Sequence, residues 1–246
     1  MNPRNWLLLR GLVRERRHWG AFPEALAART GGQVLTLDLP GVGTERHRAA
    51  PTSLSAMVED LRARFVEARS PEPWGLFAPS LGGMIALAWA EAFPDDFAHV
   101  AVCNTSARDL AGTFERFSPA ALATVAKGLV SGGPTREAHV LALVSNTDHG
   151  RSHAETFASY AKEAPIGTGV LVRQLWAASS ATSPKALRVP LTVLCSEGDR
   201  LCSPVSSRRL AERLGAPLHV HPDGGHDLPL DAPDWVIERL CGVMPP

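Results

Sequence analysis

The chain has 246 residues, 45% of them hydrophobic and 20% charged, which is enough apolar material for a buried core and excludes a disordered segment. Lys and Arg number 25, as do Asp and Glu, so no net field favours nucleic acid, an anionic membrane or an acidic partner. The apolar run at residues 6–9 is too short for a secretory signal, no stretch approaches the roughly 18 apolar residues of a spanning helix, and the four scattered cysteines show no paired spacing, so a cytoplasmic protein with reduced thiols is expected.

Short apolar runs at 6–9, 34–37, 75–77, 100–103, 191–195 and 218–221 read as strands buried on both faces. Helical periodicity fills most intervals, at 22–29, 54–68, 83–93 and 206–214. This alternation predicts an α/β fold with a mostly parallel sheet of about six strands and helices on both faces. From 107 to 188 the rhythm changes: no strand is legible, and helices are expected at 119–130, 135–145, 154–164 and 170–180. Ser118 before Pro119 and Pro134-Thr135 before Arg136-Glu137 mark two of their starts. Residues 1–106 and 189–246 are therefore expected to form the core, and 107–188 a helical lid inserted between strands.

The sharpest local signal is Gly75-Leu76-Phe77-Ala78-Pro79-Ser80-Leu81-Gly82-Gly83, a strand that passes through a serine into a helix with small residues two before and two after it. A strained nucleophile turn needs such neighbours because side chains there would collide. A serine hydroxyl also needs a histidine to take its proton and a carboxylate to fix that histidine's tautomer. His226 lies in the glycine-rich loop after the last apolar run, and Asp199 lies just beyond the strand at 191–195. Singly, Asp199 suits a turn and His226 a surface loop. Together, in the order Ser80, Asp199, His226 and all beyond strand ends, they read as one site. Asp223 and Asp227 are rival acids, but their closeness to His226 in sequence makes the required geometry harder. Two backbone N–H groups should face the substrate carbonyl oxygen: that of Leu81, at a helix start, and that of Leu12, in the turn after the first strand.

Asp38-Leu39-Pro40-Gly41-Val42-Gly43 and Gly224-Gly225-His226, followed by Asp231-Ala232-Pro233, complete a set of motifs that resembles the α/β-hydrolase superfamily over essentially the whole chain. In size and helical insertion the chain is most similar to the pimeloyl-carrier-protein methyl ester carboxylesterase group. The resemblance implies six strands equivalent to the third to eighth of that fold, with the lid between the sixth and seventh. Two positions depart from the family pattern: Arg10-Gly11 replaces the common His-Gly, and Ala78 replaces the first glycine of the serine turn.

Arg10 is a candidate contact for an anionic part of the substrate, although pairing with a carboxylate such as Asp38 or bracing its loop is favoured. In the lid, Phe114, Phe117, Phe157, Leu175 and Trp176 are candidates to line an acyl pocket, and Arg116 and Arg173 to hold a negative charge. The run Arg14-Glu15-Arg16-Arg17-His18-Trp19 reads as a solvated loop ending in a core tryptophan. His219, His221, Asp223 and His226 lack the spacing of a metal site, because two glycines interrupt them and few residues follow.

These features point to a serine hydrolase that cleaves the carboxylic ester of a small or medium acyl substrate through an acyl-enzyme, with no metal or organic cofactor. A thioesterase, a lyase acting on an anionic metabolite and a non-catalytic small-molecule receptor on the same fold are the alternatives. A small-molecule ester is the expected partner, with no nucleic acid and no membrane span, and the sequence carries no signal for oligomeric state.

Overall fold

The computed structural model describes residues 4–242. The chain runs through β1 (Asn5–Leu9), α1 (Phe22–Thr30), β2 (Val34–Leu37), α2 (Leu54–Ala68), β3 (Trp74–Pro79), α3 (Leu81–Ala92) and β4 (His99–Cys103). An all-helical segment follows: α4 (Thr113–Arg116), α5 (Pro119–Val130), α6 (Gly133–Val144), α7 (Asp148–Arg151), α8 (Ala154–Glu163) and α9 (Thr168–Ser180). The chain then returns through β5 (Leu191–Ser196), α10 (Pro204–Leu214), β6 (Leu218–His221), α11 (Leu228–Asp231) and α12 (Pro233–Gly242). No helix among the described residues is long and apolar enough to cross a membrane.

The strands form one sheet in the order β2-β1-β3-β4-β5-β6, and every neighbouring pair is parallel. Alternation along β1 divides the core. Leu7 and Leu9 pack with Met57, Leu61, Phe65 and Ile85 of α2 and α3, whereas Trp6 and Leu8 pack with Phe22, Leu26, Val236 and Leu240 of α1 and α12. Because both faces are covered, the inner strands read as continuous apolar runs rather than alternating ones. The expectation of full burial fails at β2 and β6: each has a strand on one side only, and both are partly exposed.

Between β4 and β5 the insertion holds six helices, not four; α4 and α7 are too short for periodicity to reveal. Helix α3 starts at Leu81, directly after Ser80 and two residues before its expected start. Strands β2 and β3 lie on opposite sides of β1, so the connections leaving the sheet diverge there. A crevice at the carboxyl ends of the strands follows from that reversal of strand order.

Candidate active site

Three non-glycine residues among those described have positive φ: Val13 (49°), Ser80 (56°) and Asn104 (47°). They follow the carboxyl ends of β1, β3 and β4, which are neighbours in the sheet. Backbone strain of this kind persists only where surrounding contacts over-determine it.

Ser80 joins β3 to α3 with ψ −125°. Its N–H donates to the Cys103 carbonyl at 2.8 Å, and its carbonyl accepts from Thr105 Oγ1 at 2.8 Å, so the turn is pinned to the end of β4. The glycines after it are required sterically. A Cβ on Gly82 would lie 2.8 Å from the carbonyl oxygens of Leu9 and Arg10, and one on Gly83 would lie 2.7 Å from Thr105 Cβ. Ala78, two residues before the serine, is fully buried.

His226 sits on the loop after β6, and its Nδ1 lies 2.7 Å from Asp199 Oδ2. The other Asp199 oxygen accepts from the amides of Leu201 and Cys202, both at 2.8 Å, so the carboxylate is held on both sides. With Nδ1–H donating to a carboxylate, the lone pair belongs to Nε2. That Nε2 is buried and has no hydrogen-bond partner. Ser80 and His226 line the same cavity, and no hydrogen bond joins them. Of the rival acids, Asp223 is exposed and Asp227 is engaged by Arg10.

Asn104, which the sequence reading missed, ties these parts together. Its Nδ2 donates to the carbonyls of Gly225 (3.2 Å) and His226 (2.9 Å), while its Oδ1 accepts from Ser196 N at 2.9 Å. An asparagine directly after a strand was the available signal, since Asn tolerates left-handed backbone better than other non-glycine residues.

Leu12 lines the cavity, and its amide has no acceptor among the described residues. Leu81 heads α3, where first-turn amides have no intrahelical acceptor. The loop carrying Leu12 passes over the serine: a Cβ on Gly11 would lie 3.1 Å from Ser80 Cβ.

Arg10 does not pair with Asp38. Both its Nη atoms donate to the Asp227 carboxylate, and its guanidinium lies 4.6 Å from the Trp19 ring centre. Asp38 instead accepts from the amides of Arg16 and Thr44. Burial works to raise the Asp227 carboxyl, but the Arg10 cation and its hydrogen bonds, together with Arg14 and His226, outweigh it and hold the group below the usual carboxylate range.

The cavity wall comes from Thr124, Val125 and Gly128 of α5, Val140 and Leu143 of α6, and Leu171 of α9. The residues expected to form it do not. Phe114 and Trp176 are 85% and 67% exposed, and neither Phe117 nor Arg173 lines the cavity, because the helices turn other faces inward. Arg116 is buried against Ser106 Oγ, and Arg173 reaches the Ala50 carbonyl. The basic run is not a solvated loop: Arg14, Glu15 and His18 are buried, Arg14 against Glu137 of α6 and His18 against Phe157 of α8, and Trp19 packs in the core with Phe22 and Phe77. Among the described residues no group of three or more His, Cys, Asp or Glu is arranged to hold a metal ion.

The family model described as Hydrolase_4, serine aminopeptidase S33, matches residues 7–233. No curated protein matches the chain. Similar solved structures include a thermophilic esterase from Thermogutta terrifontis (22% identity, TM-score 0.77, covering 98% of this chain and 89% of that one). A thioesterase from the prodiginine biosynthetic pathway in Streptomyces coelicolor is also similar (16%, 0.70, 98% and 85%). So is a lipase-esterase related protein from Clostridium acetobutylicum (15%, 0.75, 98% and 95%). At these identities the likeness is one of fold.

Proposed function

Because the chain belongs to the Hydrolase_4 family (serine aminopeptidase, S33) of α/β-hydrolases, we propose that it cleaves the carboxylic ester of a small or medium acyl substrate through an acyl-enzyme on Ser80. The observation that carries this reading is the Asp199–His226 pair at 2.7 Å, whose unpartnered Nε2 belongs to a ring lining the same cavity as Ser80. Catalytic contacts of this kind are often long before substrate binds.

In the proposed mechanism His226 Nε2 accepts the Ser80 proton as Oγ attacks the ester carbonyl. The amides of Leu12 and Leu81 hold the resulting oxyanion, and Asp199 stabilises the imidazolium. His226 returns the proton to the departing alkoxide, leaving an acyl-serine. Water then attacks that ester, with His226 taking its proton and passing it to Ser80 Oγ, and the carboxylic acid leaves. The insertion acts as the lid over this site. No metal or organic cofactor enters any step.

Support for an ester rather than a free amino terminus comes from charge. Among the described residues the one carboxylate lining the cavity, Asp227, is spent on Arg10, so no acid among them is left to hold an ammonium group. The order of motifs and the helical insertion are similar to those of the pimeloyl-carrier-protein methyl ester carboxylesterases, and four free cysteines suit a cytoplasmic setting. The cavity has a volume of about 80 Å³, which suits a short acyl chain. p-Nitrophenyl acetate and butyrate should be turned over at least about tenfold faster than the decanoate.

Ser80→Ala tests the assignment. The variant should keep the wild-type circular dichroism spectrum and lose both ester turnover and phosphonate labelling. An alanine variant that still hydrolyses esters and is labelled would sink the proposal, and ligand affinity without turnover in the unaltered protein would favour a receptor.

A further inference from the structure

The loop that carries Leu12 is tied to the helical insertion as well as to the core. Val13 follows Leu12 with φ 49°, a left-handed conformation that a β-branched residue adopts only under constraint. Its N–H donates at 2.8 Å to Oε1 of Gln174 on α9, across 161 positions of sequence. The next residue, Arg14, pairs with Glu137 of α6. Two consecutive loop residues are thus tied to two different helices of the insertion.

Gln174 is fully buried, and its Nε2 has no hydrogen-bond partner. An amide buried with its donor unused and its acceptor engaged is placed there for the acceptor. Gln174 does not line the cavity, so its effect on the site passes through the loop.

We propose that Gln174 is a positioning residue for the oxyanion amide of Leu12. By accepting from Val13 N–H it fixes the Leu12–Val13 peptide and holds the strained φ of Val13, and with them the direction of the amide one residue earlier. The inference rests on the proposed ester hydrolysis at Ser80. A misdirected oxyanion donor costs transition-state stabilisation while leaving ground-state binding in place.

Gln174→Met keeps length and removes the acceptor; Gln174→Glu keeps an oxygen in position. For a p-nitrophenyl ester, the Met variant should lose about 10–100-fold in kcat with KM within about twofold. Its affinity for an alkyl boronic acid, whose tetrahedral adduct on Ser80 uses the same amides, should fall by a similar factor. The Glu variant should recover most of both. A Met variant with wild-type kcat and boronate affinity, or one whose losses only track its folded fraction in thermal unfolding, overturns the inference while phosphonate labelling of wild-type Ser80 leaves the hydrolase reading intact. Absence of that labelling in the wild-type protein overturns the reading and the inference together.

Discussion

The buried pairing of Arg10 with Asp227 joins the loop after β1 to the loop that carries His226. Removing the cation strands a buried carboxylate. Arg10→Met should cost about 3–5 kcal/mol, measured by urea unfolding, and the double variant Arg10→Met/Asp227→Leu should recover much of that loss. A single variant as stable as wild type would show that Asp227 finds another partner. Gly82 allows an equally local test. A methyl group there meets backbone carbonyls of Leu9 and Arg10 at 2.8 Å, which cannot rotate away as a side chain would. Gly82→Ala should destabilise by about 1–3 kcal/mol and reduce kcat, because the strand end that must yield leads into the Leu12 loop.

The insertion is fastened to the core just beyond the end of α6. Asp231, in α11, accepts from the amides of Gly225 and Asn146 at 2.7 Å, from Thr147 Oγ1 at 2.9 Å and from Ser145 Oγ. The Val144 carbonyl accepts from Asp227 N at 2.9 Å. The segment that follows α6 therefore shares a carboxylate with the loop presenting His226. Asp231→Ala should lower unfolding free energy by about 3 kcal/mol and reduce kcat at least about tenfold through loss of His226 placement. Loss of stability with an undiminished kcat in the folded fraction would limit Asp231 to a structural role. The start of α5 was legible because capping is local: Ser118 Oγ accepts from Ala121 N at 3.1 Å, as Ser-Pro at a helix start implies, whereas α6 starts at Gly133, two residues before the start expected from Pro134-Thr135 and without a side-chain cap. Which face of each helix meets the cavity was not legible, because rotation about a helix axis is set by the partner it packs against.

Across the molecule, buried histidines make stability depend on pH. His99 opens β4 with Nε2 3.0 Å from Thr192 Oγ1, and burial pulls it from 6.5 to about 4. His18 is pulled well below 6.5, first by burial and then by the Arg14 and Arg10 cations. Between the two values for His99, the unfolded chain binds a proton that the folded chain refuses, so stability is fully present above 6.5 and declines as pH falls toward 4. The His99 contribution is about 3 kcal/mol at about 1.4 kcal/mol per unit. Urea midpoints should drop between pH 7.5 and 4.5, and His99→Gln should flatten the profile; an unchanged slope in that variant would remove His99 from the account. Asp227 acts at lower pH: its depressed carboxyl contributes stability above 3.8 that is lost as pH falls through the lowered value.

What the sequence determined by itself is local. Strand runs, helix starts and the small residues around Ser80 follow from backbone sterics and hydrogen bonding within a few residues, so their pattern survives without knowledge of the rest of the chain. Motif order was equally legible, since chain order is the sequence. Only the tertiary structure decided that Arg10 meets Asp227 217 positions away, that Gln174 holds Val13, and that Thr124 and Leu171, not Phe114 and Trp176, face the cavity. These are matters of which surfaces approach within a few ångströms, and short-range contacts between distant segments are set by the packing of whole elements.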